Sequence, residues 1–297
     1  VEANQLLKQL RKERNLSQRK LAEGISERST LATFEQKGHR IAFDTLKAYL
    51  SRMNVTLEEF DYQLNDQALS DKIKLSRRMQ QVYYQHDHAT LTSLIDTAKQ
   101  AYAASDDFMY YILSSQFTLI LNNGSQKQDT TERDEIEQKV KDYLNRIDTW
   151  GKFELSTFTN LLFLFEDAFI LFQIEKLSQK KYFRNTLNQQ YQIYTKLLTN
   201  AAYLFIDRKN PTALSTILSY LSSDLPPDND RIRIMIRFFE GVLAIFHNDK
   251  EHGQETIDGA LAVLQFIRQD RLAEQLKKVA DTVQPYHAEA ITNPKTK

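Results

Sequence analysis

Seven glycines and five prolines are all that 297 residues contain, and there is no cysteine. Sandwiches and barrels of many short strands turn about every ten residues, and those turns draw on Gly and Pro. So small a supply excludes such folds and leaves almost nothing for a glycine-rich phosphate loop. The chain is therefore expected to be mostly helical. The missing cysteine removes any disulfide framework or thiolate metal site, which suits a reducing compartment such as the cytoplasm. The length allows one large or two ordinary domains. No apolar run reaches the eighteen or so residues of a membrane span, and the opening VEANQLLKQLRKERN reads as no signal peptide, so no membrane partner is expected.

Thirty-nine basic residues balance thirty-nine acidic ones. Neutrality normally argues against a nucleic-acid partner, whose phosphates need a basic surface. Here the charge is segregated. Lys8 to Arg40 holds nine basic residues against four acidic, whereas Ile41 to Asp66 holds two against five.

Helix signals in the first 66 residues are dense. Leu6, Leu7 and Leu10 form one face of a first helix ending near Asn15. Ser17 reads as the N-cap of a short helix over Gln18 to Glu23, closed by Gly24; Ser26 reads as the N-cap of a third, from Glu27 to about Lys37, stopped by Gly38. Phe43 to Met53 and Leu57 to Leu64 are amphipathic in turn. Five short helices make a compact domain over 1–66.

Leu16 to Gly38, LSQRKLAEGISERSTLATFEQKG, resembles the helix-turn-helix of the lambda-repressor-like, Xre-type family, through Ser17-Gln18, Leu21-Ala22 and Glu35-Gln36-Lys37-Gly38. In that arrangement the recognition helix offers its N-terminal residues to base edges in the major groove. The resemblance implies Arg28, Ser29 and Thr33 as base readers and Gln18 as a phosphate contact at the start of the second helix. Arg19, Lys37, His39 and Arg40 are further candidates for the DNA backbone, and Arg11 with Glu35 for a structural ion pair. A small protein-binding helical domain is the bland alternative.

From 67 to 284 the segments lengthen and are rich in Leu, Phe, Tyr and Ile. They are predicted near 68–85, 87–102, 105–122, 132–147, 153–173, 178–183, 187–206, 210–222, 228–247, 250–265 and 269–283. Asn123 to Asp134 is expected as a loop, residues 285–297 as a frayed tail, and the apolar run Leu161 to Phe165 as buried helix. Gly253, Ile257, Ala260 and Leu261 have the small-large spacing of the second helix of a tetratricopeptide-like pair, with Gly241 on the first; Ala213, Ile217 and Tyr220 repeat the offsets behind Asn200, Ala201 and Ala202. An all-α fold follows, a helix-turn-helix domain and then tetratricopeptide-like repeats, with antiparallel bundles of another kind as the alternative.

A helix-turn-helix joined to an aromatic-rich repeat domain resembles the Rgg/MutR-type regulators of Gram-positive bacteria. The likeness is carried by Leu144, Ile147, Trp150, Glu154 and Leu155 in VKDYLNRIDTWGKFEL and by FFEGVLAIFHNDKEHGQETIDGALAVLQ. It implies a homodimeric transcription regulator on pseudo-palindromic double-stranded DNA, controlled by a short apolar signalling peptide in the repeat-domain groove. Candidate groove residues are the polar Asn160, Asn200 and Arg237 and the aromatic Trp150, Tyr194, Phe205 and Phe238. Aromatics at this spacing also read as core, and Trp150 beside Gly151 as a packed corner. His86-Asp87-His88 reads as an exposed helix start, and His247 and His252 flank a turn, so neither a metal nor a cofactor is expected. No nucleophile, Walker or HExxH motif points to an enzyme. A repeat domain that binds a folded protein partner and no peptide is the competing reading.

Overall fold

A computed structural model describes residues 2–64, 70–122, 130–180, 189–223 and 229–283. Among them the regular structure is helical: α1 Ala3–Glu13, α2 Gln18–Ala22, α3 Arg28–Lys37, α4 Phe43–Arg52, α5 Leu57–Leu64, α6 Asp71–Tyr84, α7 His88–Ser105, α8 Phe108–Asn122, α9 Thr130–Arg146, α10 Lys152–Asn160, α11 Asp167–Ser178, α12 Gln189–Asp207, α13 Pro211–Ser223, α14 Asp230–Phe246, α15 Lys250–Phe266 and α16 Asp270–Val283. One 3₁₀ turn, Leu162–Leu164, stands between α10 and α11. Compactness divides the chain into residues 1–114 and 115–297, so the division falls inside α8 and groups α6 and α7 with the first unit.

The scarcity of glycine is met at the helix ends. Gly24 and Gly38 take positive φ, but so do Asn15, Asn54, His86, Asp106, Lys209, Asn248 and Arg268. Asn and Asp tolerate the left-handed conformation because their short polar side chains bond locally. His86 is thus a helix-end residue, and Asp87 caps α7 by accepting the Thr90 N–H at 3.0 Å.

In the first unit α1 to α5 enclose a core of Leu6, Leu7, Leu10, Leu21, Leu31, Phe34, Tyr49, Leu50 and Phe60. In the second, α14 and α15 pack closely where glycine meets glycine. A Cβ on Gly241 would lie 2.8 Å from the Gly253 carbonyl oxygen, and one on Gly253 would lie 2.7 Å from that of Gly241. Ile257 and Ala260 are buried behind them, and Ala201, Ala202, Ala213 and Ile217 are likewise buried on α12 and α13.

Three sequence expectations change. The helix expected over 153–173 is two helices: Arg208 donates to the Phe165 and Phe163 carbonyls (2.8 and 3.2 Å) and Arg133 to that of Phe163 (2.9 Å), satisfying backbone that a continuous helix would satisfy itself. The run Leu161 to Phe165 is accordingly a largely buried 3₁₀ turn. Thr130 to Asp134, expected as loop, open α9. The predicted 181–183 and the tail after 284 lie outside the described residues. No helix among the described residues is long and apolar enough to cross a membrane.

Candidate functional site

The helix-turn-helix is built on one buried ion pair. Arg11 on α1 donates from Nε and Nη2 to the two carboxylate oxygens of Glu35 on α3, at 2.6 and 2.7 Å, and from Nη1 to the Leu16 carbonyl at 2.6 Å. Both side chains are buried, so the fork-to-fork geometry is what offsets their desolvation. Burial alone pushes the Glu35 carboxyl up, but the hydrogen bonds of Arg11 and Gln18 and the charges of Arg11 and Lys8 together hold it below the usual carboxylate range. Glu35 in turn raises the Arg11 guanidinium.

Ser17 caps α2 by accepting the Lys20 N–H at 3.1 Å. Ser26 does not cap α3. The residue in the cap position is Glu27, without a side-chain cap, while the Ser26 hydroxyl donates to the Glu27 carbonyl and shares a short hydrogen bond with the Tyr49 hydroxyl. Arg52 on α4 donates to the carbonyls of Leu21 (3.0 Å) and Glu23, the open end of α2. Two α4 residues absent from the sequence-based set therefore hold the turn between α2 and α3. The one available signal was a lone arginine in an acidic stretch.

On this frame Arg28 and Ser29, the first residues of α3, are exposed; Thr33, one turn later, is half-buried. Arg19, Lys37, His39 and Arg40 are exposed. Gln18 differs from the expectation of a simple phosphate contact, because its amide donates to Glu35 at 2.9 Å. One amide hydrogen and the backbone N–H at the start of α2 remain to face an anion. The start of α3 is thus an exposed helix end with cations at and around it, tied to α1 through the Arg11–Glu35 pair.

The repeat-domain candidates separate into two groups. Trp150, Tyr194, Phe205 and Phe238 are each at most 3% exposed and belong to the core. Trp150 is a corner post: its indole N–H donates to the Leu144 carbonyl at 3.1 Å and its ring meets Phe158 edge-on at 5.2 Å. The polar three are accessible. Asn160 ends α10, Asn200 is half-buried in the middle of α12, and Arg237 pairs with Glu240 at 2.9 Å on the wall of a groove between α14 and α15. Helices α10 and α12 pack on each other, and the accessible stripe of α12, Ile193, Lys196, Asn200 and Leu204, mixes apolar with polar groups. Among the described residues no group of three or more His, Asp or Glu is placed to hold a metal ion.

The family model described as the C-terminal domain of the HTH-type transcriptional regulator Rgg matches residues 67–278, and a helix-turn-helix model matches residues 7–60. Among solved structures, the SHP pheromone receptor Rgg2 of Streptococcus dysgalactiae is 18% identical with a TM-score of 0.75, covering 94% of this chain and 99% of that one. The PrgX/iCF10 complex is 14% identical with a TM-score of 0.76, covering 100% and 99%. The PrgX/cCF10 complex is 13% identical with a TM-score of 0.73, covering 95% and 99%. At these identities the likeness speaks for the fold, whereas the family match spans most of the chain. The chain belongs to the Rgg family of helix-turn-helix transcriptional regulators.

Proposed function

We propose that this regulator is a cytoplasmic homodimer in which residues 1–66 read DNA and residues 67–284 sense a short apolar signalling peptide. The observation that carries the DNA reading is the exposed N-terminal turn of α3, held in place by the Arg11–Glu35 pair. Arg28 is assigned a bidentate contact with guanine, Ser29 and Thr33 neighbouring base edges, and Gln18, Arg19, Lys37, His39 and Arg40 the backbone. A twofold dimer sets two such helices in successive major grooves, about 34 Å apart, on a pseudo-palindromic site.

The peptide reading is supported by solved structures described as an SHP pheromone receptor and as a bacterial peptide pheromone/receptor complex. It is also supported by Asn160 and Asn200, accessible on adjacent helices and suited to bond an extended peptide backbone while Ile193 and Leu204 beside Asn200 meet its apolar side chains. Control requires that the peptide bind two states of the dimer with different affinity.

Fluorescence polarisation with operator DNA tests the first half. Arg28→Ala is expected to lose about 1–3 kcal/mol of discrimination at one base position, and affinity is expected to fall steeply with salt. Unchanged specificity rejects the assigned register. Calorimetry of the full chain with short apolar peptides tests the second half: saturable binding weakened by Asn200→Ala supports a peptide sensor, and binding only to a folded protein favours a scaffold.

A further inference from the structure

Of the glycines in the C-terminal helices, Gly241 and Gly253 are explained by packing inside the chain, and Gly259 is not. A Cβ at Gly259 would meet no described atom within 4 Å. Glycine in a helix interior loses stability to alanine through the larger entropy of its unfolded chain. A mid-helix glycine that internal packing does not require points to something approaching from outside.

Seven residues on, Phe266 is 88% exposed, with Val263 (46%) between them and Ile267 (49%) just beyond. Positions 259, 263 and 266 fall on one stripe of α15. Gly259 and Val263 border the groove between α14 and α15, about 410 Å³, whose other walls include Ile234, Arg237, His252 and Glu255. The same helix face thus carries an aromatic knob and a socket, the groove whose border at Gly259 bears no side chain, about 10 Å apart along the axis.

We propose that this face is where two copies of the chain associate, each copy's Phe266 entering the other's socket at Gly259. The assignment rests on the homodimeric reading above and names its surface. A twofold axis through Val263 exchanges knob and socket, which is the self-complementarity an isologous interface requires. The charges obey the same axis. On the socket side exposed Glu255 and Asp258 outnumber Arg237, which is already paired with Glu240, and beyond the knob exposed Arg268 and Arg271 outnumber Asp270, so the operation sets a net acidic flank against a net basic one on both sides of an apolar centre. A partner of another kind has no need of knob and socket on one helix.

Sedimentation velocity of the full chain over a range of concentrations is the test, with far-UV circular dichroism as the folding control. The wild type is expected to dimerise. Phe266→Glu, which removes the knob, and Gly259→Gln, which fills the socket, are each expected to weaken the dimer at least about 30-fold, the scale of a central aromatic contact. Because the chain has no cysteine, Val263→Cys introduces a single thiol near the axis, and mild oxidation should crosslink the dimer. The crosslink and Gly259→Gln decide the matter if Phe266→Glu fails to fold. A dimer that neither substitution weakens and that Val263→Cys does not crosslink overturns this surface and leaves the homodimer standing. A wild type monomeric at every concentration overturns the homodimer and the surface with it.

Discussion

The helix-turn-helix and the α14–α15 hairpin solve the same problem, fixing one helix against another, by opposite means. The first uses helices of 5 to 11 residues, too short to persist alone. It sets their register with directional bonds: a buried bidentate ion pair, an arginine on open carbonyls and a tyrosine hydroxyl at a turn. The second uses two helices of 17 residues and sets their approach by leaving side chains out, so that backbone meets backbone at Gly241 and Gly253. Short helices that present a reading edge need orientation, which hydrogen bonds supply. Long helices that build an array need close approach, which the absence of a Cβ supplies.

The two devices should fail differently, and the largest failure belongs to the ion pair. Glu35→Ala leaves the buried Arg11 charge uncompensated and is expected to cost about 3–5 kcal/mol of helix-turn-helix stability, read by denaturant unfolding. Hydrogen exchange in α14 and α15 should stay unchanged; equal loss of protection there would abolish the contrast. The carboxyl also gives the first region a pH lever. Its folded pKa lies below the ordinary value of 4.5, so its contribution is fully present above that value and is lost as pH falls through the folded one. An acid titration followed by residue-resolved exchange should open α1 and α3 in the acid range in wild type, with that Glu35-dependent step gone in the alanine variant.

Next in size is Gly241→Ala. The added methyl must displace the Gly253 carbonyl or Ile257, each 2.8 Å from it, and overpacking of this kind costs about 1–3 kcal/mol. The atoms nearest that methyl belong to Gly253 and Ile257, neither of them ionisable, so the loss should be the same at pH 5 and pH 8. A thermal melt at both values checks it, and a pH-dependent loss would mean that the hairpin, too, leans on charge.

What the sequence revealed follows the same line. Signals that act within a few residues were readable: the Ser17 cap, the Gly24 and Gly38 stops and the Arg11–Glu35 pairing implied by the motif. Ser26 was misread as a cap because Tyr49, 23 residues away, takes its hydroxyl. The break between α10 and α11 was hidden because the groups that satisfy it, Arg133 and Arg208, come from 30 to 45 residues away. The groove candidates fared by chemistry. Trp150, Tyr194, Phe205 and Phe238 have the periodicity of core and are core, whereas Asn160, Asn200 and Arg237 are accessible because their polar groups are not buried without partners. The glycines of the hairpin were legible as a spacing, but that Gly241 and Gly253 touch and Gly259 does not is visible only in three dimensions.

That last distinction yields the smallest prediction and the sharpest. Gly253→Ala must push against Ile245 and the Gly241 carbonyl, 2.6 and 2.7 Å from the new carbon, and should destabilise like its partner. Gly259→Ala has open space and ordinary helical φ, so the entropy of the unfolded chain alone decides its sign: about 0.5–1 kcal/mol of added stability, measured in dilute solution. If copies meet over this face, the same methyl also narrows the socket that receives Phe266. The gain should therefore shrink as concentration rises into the associating range, while the Gly253→Ala loss persists at both ends. A Gly259→Ala variant destabilised equally at every concentration would mean that this glycine, too, serves the inside of the chain.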